Sequence, residues 1–184
     1  GSWQPAQASV LYIDGHVRGY HGQQTQLPKH HVARQKLCLR ATTDYWVNAM
    51  DGQPFFMVNQ AVDPGMITVI ERDILPQLEQ QIPTRPEATS TAHRLTLVFD
   101  REGYSPDFLR RMKKRRVACL TYHKFPAEAW ADDDFHACPV RLHRGEVVSM
   151  DLAERGTCLS NNLWVREVRK LTERGHQTAV ISTD

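Results

Sequence analysis

Leu95-Thr96-Leu97-Val98-Phe99-Asp100-Arg101-Glu102-Gly103-Tyr104-Ser105-Pro106-Asp107-Phe108-Leu109 holds a strand, an acid and a helix start in immediate succession. Leu95 to Phe99 is almost continuously apolar, the pattern of a strand buried on both faces. It ends on a carboxylate, Asp100. Ser105 then offers a side-chain oxygen to cap a helix, and Pro106 fits the first helical position, where no N–H is needed. In open α/β sheets, chemistry collects at the carboxyl ends of strands, so Asp100 stands where a functional acid would stand. A polar residue that merely closes a strand is the plain alternative.

Downstream, Phe108, Leu109 and Met112 are the expected packing positions of the helix. Arg110, Arg111, Lys113, Lys114, Arg115 and Arg116 surround them. Cations at a helix C-terminus are favoured by the macrodipole, and phosphate contact is the functional alternative. Val117 to Tyr122 reads as a further buried strand. The segment from Phe125 to His136 is irregular and carries Asp132, Asp133 and Asp134, which read as solvated acids. From there the composition turns strand-rich: Val140 to Leu142, Glu146 to Met150, Leu163 to Leu171 and Thr178 to Ser182. Arg144-Gly145 and Arg174-Gly175 mark turns. Leu163 to Leu171 also has helical spacing, but the Gly turn and the strand after it favour a hairpin.

Upstream, Ser9 to Val17 reads as a strand with Asp14 in its middle. Alternation places Val10, Tyr12 and Asp14 on one face. An Asp on an apolar strand is costly to bury unless it is paired or holds a metal. Gly19 to Gln26 reads as a loop, and His16, His21, His30 and His31 as loop or surface histidines. Gln35 to Met50 and Pro54 to Val58 flank Asp51-Gly52, a strong hairpin signal. Three antiparallel strands therefore open the chain. Asp63 and Pro64 then suggest a helix start, with Ile67, Ile70, Ile74 and Leu78 on its apolar face. Pro76 should kink or end that helix. Residues 80–91 read as a linker.

A chain of 184 residues, 41% hydrophobic and 24% charged, can bury the core of one domain. A net charge of +2 means that any preference for polyanions must come from local patches. Cys38, Cys119, Cys138 and Cys158 form no C-x-x-C pair and read as buried or half-buried thiols in a reducing compartment. No apolar run is long enough to span a membrane, and no signal peptide is legible.

Strand, strand, strand, helix, strand, helix, strand is the expected order. If the strand ending at Asp100 lay beside the strand holding Asp14, two carboxylates would converge. They would repel unless a divalent cation lay between them. This arrangement resembles the ribonuclease H-like fold. Tyr12-Ile13-Asp14-Gly15-His16 with Gly19-Tyr20-His21-Gly22 looks like the first catalytic segment of bacterial insertion-sequence transposases of the DDE type. Val98-Phe99-Asp100-Arg101-Glu102-Gly103-Tyr104 looks like their second.

The resemblance implies a ribonuclease H-like α/β core over 9–137, with a mixed sheet of three antiparallel strands and then parallel strands with helices. A tail or tag at 1–8 precedes it, and a β-strand-rich insertion at 138–184 follows. It implies Asp14 and Asp100 as catalytic, metal-binding acids for Mg²⁺ or Mn²⁺. Two such ions roughly 3.5–4 Å apart activate the attacking oxygen and stabilise the leaving one. The implied partners are transposon ends and target DNA, with a homodimer as a candidate assembly, no membrane, and a bacterial cytoplasmic, nucleoid-associated setting. Charge placement names Lys113, Lys114, Arg115, Arg116 and Lys124 for DNA contact. The third acid of the family has no counterpart, since Glu146, Glu154, Glu167 and Glu173 fall in expected strands or turns. A core fragment that stops before the third acid is therefore expected, and Glu102 is read as a surface acid. A nuclease on the same fold is a further alternative; exonucleases of this fold usually carry Asp-x-Glu on the first strand, and His16 at that position counts against them. The competing reading is a non-catalytic DNA-binding or regulatory module derived from a transposase.

Overall fold

A computed structural model describes residues 10–22, 26–27, 29–32, 36–61, 63–81, 93–142 and 144–184. The chain divides into two units, Gly1–Ala88 and Thr89–Asp184.

The first unit is an antiparallel sheet. Strand β1 (Val10–Gly19) pairs with β3 (Leu37–Ala49), so that Asp14 lies opposite Trp46 and His16 opposite Asp44. The hairpin read at Asp51-Gly52 forms: β4 (Pro54–Gln60) pairs with β3, and the Gly52 N–H closes the turn on the Ala49 carbonyl at 2.9 Å. A fourth strand, β2 (Lys29–Val32), pairs with the start of β3. It places His30 and His31, which read in the sequence as loop or surface histidines, on a strand. Four residues without clear alternation give no local strand signal, and only the partner specifies them.

The helical segment also differs from expectation. It begins at Met66 and not beside Asp63, with Gly65 as N-cap at φ 86°, a left-handed value that favours glycine. Asp63 acts one step earlier, accepting the Gly65 N–H at 2.9 Å. Pro76 does not end the helix. The α1 segment (Met66–Val69) runs into a π-helical turn (Ile70–Ile74) and then α2 (Leu75–Gln81). The Leu75 N–H reaches back five residues to the Ile70 carbonyl. This wider turn lies just before the residue that has no N–H to give. Met66, Val69, Ile70, Ile74, Leu75 and Leu78 are buried. The expected linker falls almost wholly outside the described residues, as do the tail and residues 23–25 of the expected loop.

In the second unit, β5 (Leu95–Phe99) pairs in parallel with β6 (Val117–Tyr122), and α3 (Pro106–Lys114) connects them. Ser105 caps α3 through its Oγ, Pro106 is in the first turn, and Phe108, Leu109 and Met112 are buried, as the sequence suggests. β5 is not buried on both faces. Leu95, Leu97 and Phe99 are buried, while Thr96 and Val98 are half-buried. Threonine in the run was the sign of this alternation.

The sheet continues antiparallel from β6 to β10 (Gln177–Ser182), β9 (Trp164–Leu171), β8 (Val147–Cys158) and β7 (His136–Arg141). The strand-rich stretch is thus joined to β6 by β10 within one mixed sheet. Leu163 to Leu171 is a strand, and Gly145 and Gly175 hold positive φ at the expected turns. β8 runs further than its sequence suggests, because its Glu154-Arg155-Gly156 half is fixed by pairing with β9.

Cys119 and Cys138 are buried and half-buried, but Cys38 and Cys158 are exposed, against expectation. Burial pushes the Cys119 thiol up to about 12, so it stays protonated and inert. Among the described residues, no helix is long and apolar enough to cross a membrane.

Candidate active site

Asp14 is exposed on β1, on the face it shares with Tyr12, His16 and Arg18. The opposite face, with Leu11 and Ile13, is buried. The carboxylate therefore avoids the desolvation that its apolar surroundings in sequence suggested. Gly15 has a packing reason. An added Cβ would lie 3.0 Å from Tyr45 Cε1, so the Tyr45 ring takes the room a side chain would need. Tyr45 is buried, and its hydroxyl donates to Asp63 Oδ1 at 2.6 Å.

The same sheet face holds an acid that the sequence reading passed over. Asp44 is 2% exposed, accepts from Asn59 Nδ2 at 2.5 Å, and pairs with Arg18 at 3.0 Å. The signal was present: Asp44 lies within a β-forming run, the same feature that drew attention to Asp14.

Asp100 is exposed at the end of β5. It is the N-cap of a 3₁₀ turn (Arg101–Gly103), and its Oδ1 accepts the Glu102 N–H at 2.9 Å. Its backbone carbonyl accepts from Thr121 Oγ1 at 2.9 Å and from the Gly103 N–H at 3.2 Å. Gly103 is required there, since an added Cβ would lie 2.4 Å from the Phe99 ring. Glu102 is exposed, as expected, but in a turn and not on a continuing strand.

Asp14 belongs to the first unit and Asp100 to the second. Each offers exposed carboxylate oxygen, the donor type that Mg²⁺ and Mn²⁺ take, and such ions need few protein ligands because they keep several waters. Neither acid is in an ion pair among the described residues. To that extent they fit a divalent cation. Among the described residues there is no group of three or more histidine, cysteine or acidic side chains placed to hold a metal.

A second constellation, unexpected from the sequence, lies inside the second unit. Glu167 on β9 is 1% exposed. It accepts from Thr157 Oγ1 at 2.7 Å and from Arg169 Nε at 2.7 Å, and His123 Nδ1 lies 3.2 Å from Oε2. Burial pushes this carboxyl up. The bonds from Thr157 and Arg169 and the charges of Arg169 and His123 outweigh burial, leaving it below the usual carboxylate range.

Arg169 continues the network. It donates to the Glu128 carbonyl at 2.9 Å and to Gln177 Oε1 at 3.2 Å. Its guanidinium lies 4.3 Å from the Trp130 ring centre, and Arg155 lies 4.7 Å from the same ring. Gln177 bonds both the N–H and the carbonyl of Trp130, at 3.0 and 2.7 Å. The irregular segment after β6 is thereby tied to β9 and β10. Val165, Glu167 and Arg169 alternate onto one strand face, and that spacing was the available signal.

Of the cations named for DNA contact, Lys113, Lys114 and Lys124 are exposed, and Arg115 and Arg116 are half-buried. The Arg115 and Arg116 carbonyls accept from Arg94, from Nη2 at 3.0 Å and from the N–H at 2.7 Å. Asp134 of the acid triplet is paired with Arg155.

No curated protein sequence matches the chain. Among solved structures, it is similar in fold to the piggyBac transposase in a synaptic complex with hairpin DNA. The TM-score is 0.53 at 8% identity, over 96% of this chain and 33% of that one. The chain thus spans about a third of the length of that transposase. A protein-family model described as "Transposase protein" matches residues 2–184, and the chain belongs to that transposase family.

Proposed function

We propose that this chain is part of the catalytic core of a DNA transposase of the DDE type, on a ribonuclease H-like fold. Its parent enzyme would cut DNA at transposon ends and join the freed 3′ hydroxyl to target DNA. Membership of the transposase family over residues 2–184 is the observation that carries the reading. The exposed placement of Asp14 on β1 and Asp100 after β5 supports these two as the acids.

Asp14 and Asp100 would hold Mg²⁺ or Mn²⁺, which, when bound, supplies charge stabilisation at the phosphodiester. The chain's own contribution is placement. The Glu102 N–H holds one oxygen of Asp100, and Thr121 holds its backbone. Gly15 lets Tyr45 pack beneath β1 while Asp14 points to the opposite face. Lys113, Lys114 and Lys124 are exposed and would meet DNA phosphates, and the half-buried Arg115 and Arg116 would add charge beside Lys114 in the chain. Such contacts position DNA without reading its sequence.

A second reading is a DNA-binding or regulatory module derived from a transposase. It is supported by the lack, among the described residues, of a group of three metal-ligating side chains. Mn²⁺ binding measured by calorimetry separates the two. The catalytic reading expects binding by the wild-type chain that is lost in both Asp14→Asn and Asp100→Asn. Equal binding by all three proteins would overturn the assignment of these acids.

A further inference from the structure

The turn that carries Asp100 is bordered by aromatic rings that the fold leaves in solvent. Phe125 is 72% exposed and Tyr122 is 42% exposed. Exposed rings scattered singly need no explanation, but these two flank one turn, and each has a cation over it. The Arg101 guanidinium, in the 3₁₀ turn that follows Asp100, lies 5.7 Å from the Tyr122 ring centre. Lys124 Nζ lies 5.6 Å from the Phe125 ring centre. Tyr104, which ends the turn, meets Phe125 edge-on, with centres 6.2 Å apart and planes at 79°.

Neighbouring groups hold this arrangement in place. Thr121 Oγ1 donates to the Asp100 carbonyl at 2.9 Å, which ties the end of β5 to β6 just before Tyr122. The Tyr104 N–H bonds the Arg101 carbonyl at 3.2 Å. The Tyr104 ring packs against His123, whose side chain is 6% exposed, with centres 5.6 Å apart and planes tilted by 31°. Phe125 is therefore exposed beside an anchored ring, and part of the ordering that a ligand contact requires is met in advance.

We propose that Tyr122 and Phe125 form a stacking platform for an unpaired nucleobase of the DNA, with Arg101 and Lys124 contacting the phosphates that flank it. This rests on the reading of the chain as one that acts on DNA, and it adds a positioning site beside the candidate acid. A base inside a duplex has neighbours on both faces, whereas an unstacked base can offer a face to an aromatic ring. An unpaired nucleotide joins a π-face to an anionic phosphate, and the patch joins rings to cations. Asp100 and Glu102 stand on the same turn, so the patch carries both signs and net charge alone does not draw DNA to it. The rings supply the attraction, and the cations supply the phosphate contacts. A protein partner fits less well, because charged residues are depleted from the cores of protein interfaces. Lys124 is exposed, so its ammonium can follow a phosphate and leave the Phe125 face to the base.

The test is fluorescence titration of the full 184-residue chain, without metal, against two DNA probes. Both are the same duplex with a short single-stranded extension and a distant dye for anisotropy. In one the extension carries 2-aminopurine, whose emission falls when it stacks. In the other the extension is built of abasic residues, so the two probes have equal charge and differ only in bases. The wild type should bind the base-bearing probe about tenfold more tightly and quench the 2-aminopurine. Phe125→Ala should remove most of that preference and of the quenching, and Phe125→Trp should keep both. Tyr122→Ala should lower the preference in the same direction. Lys124→Ala should weaken the two probes alike and flatten their salt dependence. Phe125 is already in solvent, so Phe125→Ala should keep the wild-type circular dichroism and melting temperature, and a loss of preference is then a loss of stacking. Equal affinity for the two probes in the wild type, as a surface for a protein partner would give, overturns the proposal. So does failure to bind the base-bearing probe, or a preference that survives in Phe125→Ala and Tyr122→Ala combined. Because no metal is present, failure here leaves the metal-binding role of Asp14 and Asp100 standing, and failure to bind Mn²⁺ leaves the platform standing.

Discussion

Glu167 and Asp100 lie in the same unit and differ in almost every physical respect. Glu167 is enclosed by Thr157, Arg169 and His123. Asp100 is exposed and gives one oxygen to a turn. The first unit repeats the contrast, with Asp44 buried between Arg18 and Asn59 and Asp14 exposed on the same face. The lesson is one of division of labour. A buried carboxylate is tolerated only when its lone pairs are taken up, so its binding capacity is spent within the fold. An exposed carboxylate on a rigid element keeps that capacity for a ligand. Charge alone does not distinguish a functional acid from a structural one; solvation and partners do.

The contrast is sharpest in stability. Glu167→Ala leaves Arg169, itself 2% exposed, as an uncompensated buried charge. The expected loss is about 3–5 kcal/mol in urea unfolding, the range for breaking one partner of a buried pair. A loss below about 1 kcal/mol would mean that Arg169 escapes to water and that the pair does not organise the sheet.

Gly103→Ala is next. The added methyl meets the Phe99 ring at 2.4 Å, beside the buried face of β5. Overpacking of this kind costs about 1–3 kcal/mol, and thermal melts together with the Glu102 amide would show whether the Asp100 turn is displaced as well.

Asp44→Asn should cost less, about 1–2 kcal/mol, because Arg18 is 63% exposed and can return to solvent once its partner is neutral. Asp14→Asn and Asp100→Asn should change stability by no more than about 0.5 kcal/mol, since surface substitutions rarely do more and Asn also serves as an N-cap. A large effect from either would blur the division between binding and structural acids.

The pH dependence follows the same line. The carboxyl of Glu167 is lowered in the folded state, so the unfolded chain takes up its proton first. Its contribution is therefore fully present above the ordinary carboxylate range. It is lost as pH falls through the lowered folded value. Acid unfolding of the wild type should be shallower in Glu167→Gln, which already lacks that titration.

Much of this was legible locally. Ser105 and Pro106 begin α3, Phe108, Leu109 and Met112 pack it, and Asp51-Gly52 turns the β3–β4 hairpin, because caps, proline and tight turns act within a few residues. The gaps in the reading have a common cause. The β2 strand, the second half of β8 and the π-helical passage through Pro76 depend on partners distant in the chain, or on hydrogen bonds that shift register. Spacing alone could place Asp14 on a strand and Asp100 at the end of one. It could not tell that Asp14 is exposed and Asp44 enclosed, since both interrupt β-forming runs in the same way.

Local chemistry sets where strands turn, where α3 starts, and which side chains alternate onto one face. Which charges are solvated and which are enclosed is settled only in the folded chain. Solvation depends on what the rest of the chain lays over a residue, and for Glu167 that cover comes from residues as distant in sequence as His123.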